Sequence, residues 1–513
     1  MTPPTATQTP VPRLRLPDAE FARAGHMLDR GRWAASAYAK FGAFDVKRVV
    51  DAVAAAAFDR AAHYAEWAVR ETGFGVVADK RLKNESCSKG LLEYYAGQTF
   101  TDVRIDPARK LVELPRPAGL IFALAPSTNP IATLYFKTIL ALMTRNAIVL
   151  SPHPVAKACT ADAARYLAAA AEAAGAPDGI LQVIEEPSIP LLEQLLVDSR
   201  VDLIVATGGP AVVRAAYRSG HPAIGVGPGN APVLVDATAD LRCTAQRLVV
   251  SKSFDNSILC TNESVVLALK PIADRLLDAL GVAGAHLCSP DEVEKLRHFL
   301  FPAGQFNGKA IGKNADWIAR EAGFSASGTK ILVAPIDRVQ PEEPLAREKL
   351  CPVLGFARFE NIESAISGAR SMMRRSGRGH SAAVHSRDPE TILAFSAAVP
   401  ALRIVVNAGC SEGASGLHTH LGPSMTIGTG FAGGSSVGEN LGPHHLVNWA
   451  RIAYNKDSKE EFGDFSALRL NPHADRTAVP PDRRPRDQQP EDAELRKRLK
   501  AIVLEELREA LKS

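Results

Sequence analysis

The chain has 513 residues, 46% hydrophobic and 23% charged, with a formal net charge of +4. That composition is ordinary for a soluble globular protein and leaves room for two or more domains. Lys and Arg are scattered among Asp and Glu, which argues against a nucleic-acid-binding face, and no apolar run approaches the roughly 20 residues that span a bilayer.

Residues 1–17 are rich in Pro and Thr, lack the apolar segment of a secretory signal and read as a disordered arm. Residues 18–100 read as helical: Val49, Val50, Val53, Ala57, Ala61, Tyr64, Trp67 and Ala68 recur at helical spacing within 44–72, and 80–97 continues in the same style. From Lys110 the texture changes. Short strands are expected at 110–114 and 119–125, separated by Pro115 and Pro117, then Ala125-Pro126-Ser127-Thr128-Asn129-Pro130 and a helix over 131–144. Strands at 146–151, 179–184 and 203–207 alternate with helices at 158–174, 190–197 and 211–218. That alternation predicts a parallel sheet with right-handed crossovers, an architecture of the dinucleotide-binding type. The strand at 203–207 ends in Gly208-Gly209-Pro210. Glycines let a ligand approach the backbone, Pro suits a first helical turn, and the free N–H groups there can hold a phosphate. Without a G-x-G-x-x-G fingerprint, the same residues fit an ordinary strand-to-helix turn equally well.

The glycine-rich turn 225–232 feeds a strand at 233–236 and marks the boundary between two large domains. The second block has its own alternation at 330–334, 348–355, 362–373, 381–385, 389–398 and 402–406, and the Gly/Ser-rich stretch 428–442 returns the chain across the junction. The expected division is a nucleotide-binding domain at 18–231, a catalytic domain at 232–434 and a returning segment at 435–470. A linker with Pro480, Pro481, Pro485 and Pro490 follows at 471–490. The segment 491–513 carries an amphipathic helix whose stripe is Leu495, Leu499, Ile502, Val503, Leu507, Ala510 and Leu511. So short a helix needs a partner for that stripe.

The seven cysteines are Cys87, Cys159, Cys243, Cys260, Cys288, Cys351 and Cys410. None pair as C-x-x-C, and their spacing suits neither zinc nor a disulfide framework, so no metal and a reducing, cytoplasmic location are expected. Cys260 lies between small and polar residues within 253–263. A thiolate attacks carbonyl carbon and leaves well from a thioester, which makes Cys260 a candidate nucleophile. Taken alone, its context favours the role of a buried small hydrophobe.

Its company elsewhere reverses that balance. The stretches 126–130 (PSTNP), 144–154, 206–210 (ATGGP), 222–230, 253–260, 348–352 (EKLCP) and 428–446 run in an order that resembles the aldehyde dehydrogenase superfamily over roughly 20–460. The resemblance is narrower to its CoA-acylating branch, such as the aldehyde dehydrogenase half of bifunctional aldehyde–alcohol dehydrogenases. It implies an α/β fold: a Rossmann-like nucleotide-binding domain, an α/β catalytic domain and a small β oligomerisation arm with a hairpin near 108–118. It also implies roles. Cys260 is the nucleophile, and Asn129 with the backbone N–H of Cys260 stabilises the oxyanion. Glu348 holds the nicotinamide ribose, and Pro126, Ser127, Ser151, His153, Gly208, Gly209 and Gly227 surround the nucleotide. Taken alone, Asn129 fits a turn before proline and Glu348 a solvated charge.

Two departures inform the expected chemistry. Hydrolytic members of the superfamily carry a glutamate where this chain has Val226. Valine is no base, so a thiol, coenzyme A, is expected to finish the turnover by a ping-pong route through the emptied nucleotide cleft. The turn 151–154 lacks the lysine and glutamate that mark the adenosine ribose in many members; NAD is the expected acceptor, with NADP left open. The alternatives are a hydrolytic aldehyde dehydrogenase and a catalytically silent scaffold. Acetaldehyde, propionaldehyde, lactaldehyde and sulfoacetaldehyde all remain open as substrate. Family resemblance implies a homodimer or homotetramer. The tail at 491–513 resembles peptides that carry enzymes into the lumen of bacterial microcompartments by binding shell proteins; the alternative is a helix docked on its own or a neighbouring subunit.

Overall fold

The computed structural model describes residues 18–457 and 459–465. The expectations for the arm 1–17, the linker 471–490 and the helix within 491–513 lie outside the described residues. Two all-parallel sheets and one small antiparallel sheet carry the architecture. The first sheet has the order Leu181–Val183, Ala147–Ser151, Leu120–Leu124, Leu203–Ala206, Ala223–Gly225. Its strands are buried runs with helices between them, as both-faced parallel sheets require. The chain leaves Leu120–Leu124 in one direction and returns on its other side at Leu203–Ala206, so these neighbours form the switch point at which α/β sheets take ligands.

The second sheet has the order Ala285–Leu287, Ile331–Pro335, Val353–Phe359, Glu263–Leu269, Ala231–Val235, Ser381–His385, Arg403–Val406. It starts at Ala231, at the boundary read from the glycine-rich turn. The third sheet pairs Leu111–Pro117 with Arg104–Asp106 on one side and Val447–Ala453 on the other. The hairpin near 108–118 and the late segment are thus parts of one arm.

Several expectations need correction. The helix expected over 44–72 is two, Ala43–Asp59 and Ala61–Thr72, broken at Arg60 (φ −102°, ψ 7°) with no Gly or Pro to mark the break. Likewise 80–97 holds two helices, Val77–Ser86 and Lys89–Tyr94. Pro115 and Pro117 interrupt nothing: they lie inside Leu111–Pro117, past the end of the short edge strand, which pairs only with residues 111–113. Residues 348–352 form a loop, and the strand begins at Val353. The central strand Glu263–Leu269 and the helices Lys270–Val282, Pro290–Leu300 and Ala315–Ala322 were not anticipated. No helix among the described residues is long and apolar enough to cross a membrane.

Candidate active site

The two parallel sheets bring opposite ends to the site. From the first come the C-terminal ends of adjacent strands. Leu124 is paired with both Ser151 and Ala206, so the segments that follow leave side by side: Pro126 and Ser127, then His153, then Gly208 and Gly209. The Ala125 N–H donates to the Ser151 carbonyl at 3.0 Å and the Thr207 N–H to Leu124 at 3.3 Å, which fixes their relative height. Buried Lys137 donates to the carbonyls of Leu124 (2.6 Å) and Val205 (2.9 Å), tying the two strands of the switch point together.

These residues fit a dinucleotide. Gly208 and Gly209 are exposed, and a Cβ on Gly209 would meet nothing within 4 Å, so the space above them is open. Helix Pro210–Arg218 starts there with no side chain capping it, which leaves N–H groups for a phosphate. Ser151 is buried and His153 exposed. The His153 ring already accepts from the Val155 N–H at 3.2 Å, capping the turn Pro154–Ala156.

From the second sheet come N-terminal ends. Glu348 precedes Val353–Phe359, Cys260 precedes Glu263–Leu269 and Gly229 precedes Ala231–Val235, and these three strands are consecutive neighbours. Gly229 joins the other two. Its N–H donates to Glu348 Oε1 at 3.1 Å, and a Cβ there would lie 1.8 Å from the Cys260 carbonyl oxygen. Only glycine has room. Gly227, expected beside the nucleotide, sits against Thr429 and the carbonyl of Gly433. Asn230 donates to the Ala346 carbonyl at 3.2 Å and so secures the loop carrying Glu348.

Cys260 is half-buried. Burial pushes its thiol up to about 12, the Glu348 carboxylate adds to the rise, and the Arg403 guanidinium opposes it. Burial likewise pushes the Glu348 carboxyl up to about 8, against the Gly229 N–H and the buried Lys252 and Lys349. Burial thus favours the neutral form of both groups, the thiol and the carboxylic acid. Arg403 is itself buried and donates to carbonyls, among them Gly379 at 2.6 Å and His380 at 3.2 Å.

The loop before Cys260 is unusual. Asp255, Asn256 and Ser257 have φ of 47°, 51° and 64°, three successive left-handed residues without a glycine. Such conformations cost on the order of 1 kcal/mol or more each and persist only where the surroundings impose them. Here the fully buried Asp255 carboxylate accepts from the Val76 N–H (2.6 Å), Lys80 Nζ (3.2 Å) and Lys83 Nζ, and its own N–H donates to Asp79 Oδ2 at 2.7 Å. Asn256 Nδ2 donates to the Gly312 carbonyl at 2.8 Å.

Asn129 caps helix Pro130–Met143 with its backbone while its side chain makes no capping bond. Its Oδ1 accepts from Lys83 Nζ. An ammonium only donates, so the facing atom is the oxygen, and the NH₂ is left to donate elsewhere. One of its hydrogens reaches Thr128 Oγ1 at 3.3 Å. Lys80, Lys83 and Asp255 were missed in the sequence. Their helix is inverted, which only the structure reveals: in Val77–Ser86 the buried residues are Lys80, Lys83 and Asn84, while Leu82 faces out.

Val226 is buried just past strand Ala223–Gly225. The Gly225 N–H donates to the Tyr217 hydroxyl (2.9 Å) and its carbonyl accepts from Ser435 Oγ (2.6 Å), which pins the segment to the Gly/Ser-rich return.

Residues 4–298 match the model of the aldehyde dehydrogenase family. The aldehyde-alcohol dehydrogenase of Clostridium acetobutylicum is 37% identical over 412 residues, 79% of this chain and 48% of that protein, so the chain spans about half the length of this relative. An acetylating aldehyde dehydrogenase from Geobacillus thermoglucosidasius has a crystal structure that matches with a TM-score of 0.84 at 35% identity, over 86% of this chain and 98% of that one. Propionaldehyde dehydrogenase from Rhodopseudomonas palustris, solved with bound CoA and an acylated cysteine, matches with a TM-score of 0.76 at 27% identity, over 84% and 97%. With the family model covering more than half of its length, this chain belongs to the aldehyde dehydrogenase family.

Proposed function

We propose that the protein is a CoA-acylating aldehyde dehydrogenase that oxidises a small aldehyde with NAD and passes the acyl group to coenzyme A. Cys260 gives its thiol proton to solvent water, its thiolate attacks the aldehyde carbon, and the oxygen gains the electron pair of the C=O bond. Asn129 Nδ2 and the Cys260 N–H are the proposed donors to that oxygen; each such donor is typically worth about 3–4 kcal/mol of barrier. A dinucleotide held by Gly208, Gly209 and Glu348, with Pro126, Ser127, Ser151, His153 and Gly227 around it, supplies a hydride acceptor. The oxygen re-forms its double bond as the hydride leaves, giving a thioester on Cys260. The thiolate of coenzyme A then forms the new C–S bond and Cys260 leaves with its electron pair.

Val226 carries the choice of acceptor. A buried, apolar side chain stands at the position of the hydrolytic branch's glutamate, so water has no base there. The neighbour with CoA and an acylated cysteine supports the same reading. The test follows NADH from NAD⁺ and an aldehyde panel, with and without coenzyme A. One equivalent per subunit without coenzyme A, and steady turnover with it, is expected. Steady turnover without coenzyme A would establish the hydrolytic alternative, and no acyl adduct on Cys260 with any aldehyde would establish the silent scaffold.

Assembly as a homodimer or homotetramer is supported by the arm: among the described residues Val447–Ala453 is an edge strand with one side unpaired, and Ile452 is exposed on it. The amphipathic stripe of 491–513 supports docking on a microcompartment shell protein and a place in the lumen.

A further inference from the structure

Lys80, Lys83 and Asp255 form a buried cluster, with half-buried Asp79 beside it, and no step above uses it. Lys83 is 1% exposed. Its ammonium donates to Asn129 Oδ1, on the nucleotide-binding side, and to Asp255 Oδ2, on the strained loop that leads to Cys260. Its Nζ lies 6.0 Å from the centre of the Phe254 ring. Lys80 shares only part of this work: it donates to the Thr128 carbonyl at 2.9 Å and to Asp255 at 3.2 Å, and makes no bond to the Asn129 amide. The turn before the helix closes around the same carboxylate, since a Cβ on Gly75 would lie 2.0 Å from Asp255 Oδ1.

We propose that Lys83 is a positioning residue: one buried ammonium sets both halves of the oxyanion site, turning the Asn129 amide so that its NH₂ donates and holding, through Asp255, the left-handed loop that delivers the Cys260 N–H. This rests on the acyl-transfer reading above. Without Lys83 the amide loses the partner that distinguishes its oxygen from its nitrogen, and Asp255 loses one of its two cations. Both oxyanion donors then drift together. Lys83 is buried behind Asn129 and Asp255, so its loss is expected to leave aldehyde and dinucleotide binding in place while the rate of acylation falls.

The experiment is a double-mutant cycle on the full-length protein. The rate of the NADH burst without coenzyme A is measured for wild type, Lys83→Met, Asn129→Ala and the double variant. Lys83→Met is expected to slow the burst about 100-fold, the scale of an ångström of misplacement, with the KM for aldehyde within about threefold of wild type. In the Asn129→Ala background the same substitution should cost clearly less, because part of its effect acts through the missing amide. Losses that multiply in full would mean that Lys83 serves only general structure and would overturn the proposal, as would a Lys83→Met burst within threefold of wild type. If Lys83→Met yields no folded protein, Lys83→Gln, whose amide still donates to one acceptor, carries the same cycle, and losses that multiply in full there overturn the proposal. Mass spectrometry of the acyl adduct separates the two hypotheses. No adduct on wild-type Cys260 refutes the acyl-transfer reading, whereas a wild-type adduct with a non-interacting cycle refutes only the role of Lys83.

Discussion

Gly229→Ala tests the architecture of the site more directly than removal of the cysteine. The new Cβ would lie 1.8 Å from the Cys260 carbonyl oxygen, 2.8 Å from its carbonyl carbon and 3.0 Å from Glu348 Oε1. Real Cβ atoms essentially never come closer than 3.0 Å, so backbone must retreat by at least 3.0 − 1.8 = 1.2 Å. The two nearest atoms are Cys260 backbone, just after the left-handed residues 255–257, so no flexible side chain can yield there. Misplacing a reacting group by about 1 Å can cost about 100-fold in rate, and overpacking typically costs about 1–3 kcal/mol of stability. Stopped-flow measurement of the NADH burst without coenzyme A should show a loss of about two orders of magnitude. Thermal unfolding should show a folded protein of lower Tm. A burst within threefold of wild type would refute the reasoning, since it would mean that the Cys260 carbonyl can move without moving the nucleophile.

Four further outcomes are expected. Val226→Glu should convert the CoA-free burst into steady NADH formation while Val226→Gln should not; burst-only behaviour of both would remove Val226 as the determinant of the acceptor. The rate of Cys260 alkylation by iodoacetamide should rise with pH, because its thiol lies near 12, but less than tenfold per unit around pH 8, where ionising Glu348 adds a negative charge beside it. Glu348→Gln should abolish that flattening. The same substitution tests linkage: the folded protein holds a proton on Glu348 that the unfolded chain releases above about 4.5, so Glu348 lowers stability progressively as pH rises towards 8. The Tm of Glu348→Gln should therefore gain on wild type over that range, and a constant difference would refute the shift. Deleting residues 482–513 should leave turnover nearly unchanged and abolish co-purification with shell proteins; collapse of turnover or of oligomer size would make the tail part of the enzyme.

The nucleotide-binding sheet was legible because fully buried parallel strands are short apolar runs bounded by Gly and Pro. The strand Glu263–Leu269 escaped because it opens with Glu263 and Ser264, residues that local rules place at a surface. Its physical reason is distant: Glu263 is buried with its Oε1 accepting from the Cys410 N–H at 2.6 Å. The glycines of 225–229 were legible as a turn, but the close approach at Gly229 depends on the Cys260 carbonyl, which no local pattern supplies. Lys80 and Lys83 were invisible for the same reason, since a lysine reads as solvated until its carboxylate partner 172 or 175 positions away is known.

The site is assembled from strand ends, which explains how one fold can serve different acyl acceptors. In the second sheet, Glu348, Cys260 and Gly229 precede three adjacent parallel strands, so ladder register sets their order, with the cysteine in the middle. In the first, the loops after residues 124, 151 and 206 are set at one height by the same kind of pairing. The proposed nucleophile and its proposed donors are thus held by two sheets and by the Lys83 bridge between them. Val226 lies past a strand end, pinned through Gly225 but bearing no part of either ladder or of the Asp255 cluster. A substitution there can change what attacks the thioester and leave the machinery that forms it in place. That separation is why Val226→Glu is expected to alter the product while Gly229→Ala is expected to stop the reaction.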